Sequence, residues 1–128
     1  MTKMQRDSRP VFLNLFKIRF PITAILSIMH RVMGVALVAL LPFLIYLLDL
    51  SLSSEAGFQN AATLVHNNWI RLLSVGFVWA LTHHLFAGIR FLLLDLEIGI
   101  EKHQARASAY AVNVAAILVT LICWVILL

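Results

Sequence analysis

Ser27, His30, Arg31, His83 and His84 are the residues whose types and positions could do chemistry, because each interrupts a strongly apolar stretch. Thr23, Ser27, His30, Arg31 and Gly34 follow the spacing i, i+4, i+7, i+8, i+11, which puts all five on one face of a helix. A hydroxyl, an imidazole and a guanidinium on that face form a polar pocket for an anionic or hydrogen-bonding ligand. The structural alternative is that Arg31 snorkels to the headgroups. That would account for the arginine but not for Ser27 and His30 on the same face.

The second cluster lies in Leu81-Thr82-His83-His84-Leu85-Phe86-Ala87-Gly88-Ile89-Arg90. Successive helical residues point about 100° apart, so the two histidines cannot serve one site equally. His84 falls on a stripe of small residues, Gly76, Ala80, His84 and Gly88, with Ala87 alongside. Such stripes let a second helix or a flat ligand approach closely. An imidazole on a face with little bulk suits an axial ligand to haem iron. His83 is expected on a bulky face shared with Trp79 and Phe86. An interhelical hydrogen bond is the plainer role for either ring, but ionisable groups inside a membrane favour function.

These residues are positioned by a chain that is 62% hydrophobic and 12% charged. A typical soluble domain has about 45–50% apolar and about 25% charged residues, and a small one cannot hide such a surplus. A soluble globule, a disordered chain and a nucleic-acid-binding module are excluded. Cys123 stands alone, so there is no internal disulfide and no cysteine-built metal centre. Val32 to Leu48, Leu72 to Ile89 and Ala107 to Leu128 carry no charged residue. Only helices satisfy their own backbone groups in lipid at such lengths, and no alternating barrel strands occur. The sequence therefore predicts an all-α membrane protein, a single domain over 1–128, with three spans at about 22–50, 69–94 and 107–128. Pro21 suits the first turn of span one, and Pro42 predicts a kink or tilt within it.

Bases set the orientation. Lys3, Arg6, Arg9, Lys17 and Arg19 precede span one, and Lys102 and Arg106 follow span two, whereas the first connection holds only Arg71. The N-terminus and the second connection are expected in the cytoplasm, and the first connection and the C-terminus on the opposite side. Residues 1–21 read as a cytoplasmic, interfacial segment and not as a cleavable signal. His84 then lies roughly 15 Å from the cytoplasmic end of span two, and Ser27, His30 and Arg31 about 8–14 Å from the same side. The two clusters share a depth, so a haem on His84 could direct its propionates toward His30 and Arg31. The alternative, His30 and His84 on one iron, conflicts with His30 sitting nearer the surface. Arg90, Asp95 and Glu97 read as an exposed interfacial charge cluster worth little. His66 and His103 take no role, and span three reads as a packing helix.

Arg9-Pro10, the run Ile18-Arg19-Phe20-Pro21-Ile22-Thr23-Ala24-Ile25, and Ser27-Ile28-Met29-His30-Arg31-Val32-Met33-Gly34 together resemble the cytochrome b membrane-anchor subunit of bacterial succinate dehydrogenase. His84, Gly88, Arg90 and Asp95 match the spacing of that family's second signature, and the resemblance covers essentially the whole chain. It implies half of a heterodimeric helical anchor in a bacterial inner membrane. Haem b would be shared with a second small anchor subunit, with His84 as one axial ligand and a partner histidine as the other. Ser27 and Arg31 would line a ubiquinone site, and His30 and Arg31 would approach the haem propionates. The remaining partners implied are a flavoprotein subunit and an iron–sulfur subunit, which would deliver electrons from succinate. The chain has no flavin motif and no cysteine cluster, so it has no succinate-oxidising activity alone. Met33 stands where the family usually has Ser or Thr, so no hydroxyl contact is implied there. A fumarate reductase anchor is the alternative within the class. A small transporter subunit is the alternative outside it, although none of the six acids lies deep in a span.

Overall fold

The computed structural model describes residues 18–127 as four helices: α1 (Ile22–Ser53), α2 (Glu55–Val65), α3 (Asn68–Asp95) and α4 (Lys102–Leu127). Most of the expected interfacial segment, including Lys3, Arg6, Arg9 and Lys17, lies outside the described residues. α1, α3 and α4 are each long and apolar enough to cross a membrane, and no strand occurs among the described residues. The three-span, all-α expectation holds.

Local chemistry sets the helix ends. Pro21, with φ −65° and ψ 153°, starts α1, and its carbonyl accepts from the N–H groups of Ala24 and Ile25 at 2.9 and 3.1 Å. α1 continues through Pro42. Ser54 is extended, breaks the helix and caps α2 by accepting from the Gly57 N–H at 3.0 Å. Gly57 is buried against the end of α1, where only glycine fits, because a side-chain carbon would run into the Leu50 carbonyl and the Ser53 hydroxyl. α2 thus folds back on the last turn of α1, an element the sequence reading left unassigned. Asn67 caps α3 by accepting from the Trp69 N–H at 2.9 Å. At the far end of α3, Ile98 donates to Leu93 and Glu97 to Leu94, both at 2.9 Å. That pairing closes a Schellman turn with Glu97 at φ 62°, a position where glycine is usual.

The main seam joins α3 to α4. Ala80, His83, Ala87 and Arg90 are the buried residues of α3, spaced 3, 4 and 3 apart. The buried side of α4 is Ala109, Val112, Ala116 and Thr120. These small residues bring the two backbones close enough for hydrogen bonds across the seam. The Thr82 and Thr120 hydroxyls lie 3.3 Å apart, and Arg90 reaches Ser108 and Ala105, so the helices run antiparallel. α1 joins at one end, where Leu26 packs with Ala87, Ala109 and Val112 and is flanked by Ile22, Phe86 and Phe91. Leu26 is the only buried residue of α1, and much of the rest of that helix exposes large apolar side chains such as Val32, Val35, Val38 and Leu48. In lipid such exposure is the expected solvation of a span.

The structure overturns one expectation here. Arg90 is not part of an exposed charge cluster. It is 6% exposed, and its Nε donates to Ser108 Oγ and its Nη2 to the Ala105 carbonyl, each at 2.9 Å. Its partners sit one turn inside α4, so satisfying the guanidinium requires burying it between the helices. Asp95 and Glu97 remain exposed, and neither pairs with it among the described residues.

Candidate functional site

The α1–α3 crossing is built from a matched pair of motifs. His30 and Gly34 lie four apart on α1, and His84 and Gly88 lie four apart on α3. Because the helices are antiparallel, each histidine rests on the other helix's glycine. A carbon added at Gly34 would stand 2.9 Å from His84 Cε1, and one added at Gly88 would stand 3.5 Å from His30 Nε2. Between the glycines the two imidazoles stack face to face, with centroids 4.1 Å apart and planes within 8°. The Phe91 ring meets His30 edge-on at 5.2 Å.

One hydrogen bond decides the chemistry of His84. Its Nδ1 lies 3.0 Å from the His30 backbone carbonyl. A carbonyl can only accept, so Nδ1 carries the proton and Nε2 keeps its lone pair. Nε2 makes no hydrogen bond among the described residues. Metal-binding histidines characteristically hold one ring N–H on a carbonyl and offer the other nitrogen to the metal. His84 therefore has the tautomer and the support that an iron ligand requires, and the glycine beneath it leaves room for the ring.

The two rings present their faces to each other and do not aim their nitrogens at a common point. His83 lies elsewhere. It is completely buried in the α3–α4 seam, and neither ring nitrogen has a partner among the described residues. The expected bulky neighbourhood holds in part: Trp79 pairs with His83 as a tilted ring at 6.1 Å, but the buried face that His83 occupies is otherwise that of the small residues Ala80 and Ala87. The expected single small-residue stripe is divided accordingly: Gly88 and His84 face α1, Ala80 and Ala87 face α4, and a carbon added at Gly76 would touch nothing.

The polar face of α1 divides in the same way. His30 and Gly34 turn to α3, while Ser27 and Arg31 form a pair on the outer side, with Arg31 Nη2 3.4 Å from Ser27 Oγ. That distance exceeds the usual 2.7–3.2 Å, so both groups keep most of their capacity for another partner. Arg31 is exposed and Ser27 half-buried. Gly34, Gly88 and Arg90 all figured in the sequence reading; what it missed is that each glycine seats the opposing histidine and that Arg90 is buried against α4. The 3-4-3 spacing of Ala80, His83, Ala87 and Arg90 was the available signal.

Comparison with known proteins shows what the chain as a whole is similar to. The family model for the succinate dehydrogenase/fumarate reductase transmembrane subunit matches residues 5–123. A succinate dehydrogenase cytochrome b556 subunit of Coxiella burnetii is 42% identical over 109 residues, covering 84% of this chain and 87% of that protein. The cytochrome b556 subunit of Paracoccus denitrificans is 33% identical over 95% of this chain and 94% of its own length. A cytochrome b560 subunit of Reclinomonas americana is 34% identical over 93% of this chain and 86% of that protein.

Proposed function

The chain belongs to the succinate dehydrogenase/fumarate reductase transmembrane-subunit family, and on that premise we propose that it is a haem-binding anchor of a succinate:quinone oxidoreductase. The names of its relatives support the succinate dehydrogenase assignment, and the word cytochrome in those names supports haem b. The observation that carries the reading is the His84 Nδ1 bond to the His30 carbonyl, which leaves Nε2 free to bind iron. His84 would hold the haem iron through Nε2. With His30 stacked flat against it and His83 sealed into the other seam, a second small anchor subunit would supply the further histidine that holds the haem. His30 and Arg31 balance the propionates. When bound, haem b supplies a one-electron redox centre inside the membrane.

Ser27 and Arg31 bind ubiquinone. The hydroxyl and the guanidinium donate to a carbonyl oxygen and stabilise the negative charge that grows on it as electrons arrive. Two electrons and two protons complete the reduction to quinol. The electrons come from succinate through a flavoprotein subunit and an iron–sulfur subunit docked at the base-rich end. That end faces the bacterial cytoplasm, so the N-terminus is cytoplasmic and the C-terminus periplasmic in the inner membrane, as the distribution of Lys and Arg supports.

A redox difference spectrum of the purified complex tests the ligand. His84→Ala should remove the reduced b-type band, and His83→Ala should leave it. The opposite outcome overturns the assignment. For the quinone, Ser27→Ala and Arg31→Ala should slow quinone reduction while succinate oxidation by a soluble dye continues. Unchanged quinone kinetics in both variants would sink that half of the reading.

A further inference from the structure

At the end of the bundle remote from Ser27 and Arg31, the start of α3 and the end of α4 enclose a cleft of about 560 Å³. His66, Asn68 and Arg71 line its mouth, and Val75, Val78 and Trp124 line its depth. Arg71 is the only Lys or Arg between Arg31 and Arg90, on the side of the membrane that disfavours bases. Snorkelling alone would turn it to an outer face. Instead it is half-buried in the cleft wall, and its guanidinium makes no hydrogen bond or ion pair among the described residues. The Asn68 side chain is likewise unpaired among them. His66 holds its Nδ1 on the Ala62 carbonyl at 2.8 Å, which leaves Nε2 for another group.

The cleft therefore combines a cation and polar groups at the membrane surface with an apolar wall. From Arg71 to Val78 that wall descends about 10 Å, at about 1.5 Å per residue. The Thr82–Thr120 pairing sets Trp124 level with Val78, four residues further along each antiparallel helix, so its ring forms part of the apolar wall. A small soluble anion would leave the apolar depth unused, and a neutral hydrocarbon would leave Arg71 unpaired. We infer that this cleft binds an anionic phospholipid, with its phosphate on Arg71 and Asn68 and an acyl chain along Val75, Val78 and Trp124. The site lies about 20 Å along α3 from His84 by the same rise, so it is independent of the iron ligand and of the quinone pair.

Native mass spectrometry of the full chain, purified with the subunits that accompany it, tests this. The complex is stripped of lipid and then titrated separately with phosphatidylglycerol, phosphatidylcholine and inorganic phosphate. Wild type should hold phosphatidylglycerol with about fivefold higher occupancy than Arg71→Gln, the ratio expected of one base at an anionic headgroup. Arg71→Lys should recover most of the binding. Val78→Phe, which fills the depth and keeps the charge, should lose it. Equal occupancy in wild type, Arg71→Gln and Val78→Phe overturns the proposal. So does equal retention of phosphatidylcholine, or displacement of phosphatidylglycerol by inorganic phosphate alone, which would mark a free-anion site.

Discussion

Gly34→Ala places one methyl group at the tightest point of the α1–α3 crossing. Its carbon would stand 2.9 Å from His84 Cε1, about 0.5 Å short of the 3.4 Å at which ordinary contact begins. The obstacle is the ring itself, held by the 3.0 Å bond to the His30 carbonyl and by the stack on His30. The ring must swing off that carbonyl or the helices must part. The first course loses a hydrogen bond worth about 0.5–1.5 kcal/mol, and the second incurs an overpacking cost of about 1–3 kcal/mol. Replacing glycine by alanine in a helix also gains about 1 kcal/mol of propensity, which has to be separated out. Gly88→Ala provides the control, because its carbon meets His30 Nε2 at 3.5 Å, an ordinary contact. The two variants share the propensity gain and differ in the clash. Gly34→Ala should therefore melt below Gly88→Ala by the equivalent of about 0.5–3 kcal/mol, the low end if the ring swings off the carbonyl and the high end if the helices part. It should also shift the reduction potential or low-spin spectrum of the bound haem, while Gly88→Ala leaves both near wild type. If Gly34→Ala is as stable as Gly88→Ala and its spectrum is unchanged, the reciprocal seating of the histidines is wrong.

Three further outcomes follow from the fold. Arg90→Gln loses the charged donor to Ser108 and the Ala105 carbonyl, and should destabilise the complex by about 2–4 kcal/mol in a reversible unfolding assay, with Arg90→Lys failing to restore it; stability equal to wild type would refute the inter-helix role. His83→Leu removes two buried ring nitrogens without partners and should be neutral or stabilising, with the b-type spectrum intact. Loss of that spectrum would make His83 the ligand after all. Glu97→Gly relieves a left-handed backbone position and should raise the melting temperature by the equivalent of about 1 kcal/mol, whereas no gain would show that Glu97 has a compensating contact.

Membrane residence and the three spans were legible because they are properties of composition and run length, which need no knowledge of neighbours. That His84 would lie close against a neighbouring helix was legible because a histidine among small residues is a local pattern. The other errors share a cause. Whether Arg90 is exposed depends on Ser108 and Ala105, residues of another helix. Whether His83 meets bulk or small residues depends on which side of α3 receives α4, and a 100° step gives the angle between adjacent side chains but not the direction of either neighbour. Ser27 and His30 read as one face because an arc that wide spans two surroundings once a second helix occupies half of it. α2 was missed because its 11 residues are too short for a span and its cap, Ser54, lies within a serine-rich stretch that reads as a loop.

The paired His–Gly seats also act as a clasp against sliding. If α1 slipped by one turn along α3, about 5.4 Å, His84 would leave Gly34 and meet either Val38 or the His30 position, and His30 would leave Gly88 in the same stroke. Neither ring has a second seat four residues away. Piston motion along the membrane normal is blocked in both directions, while tilting about the glycines meets no such stop.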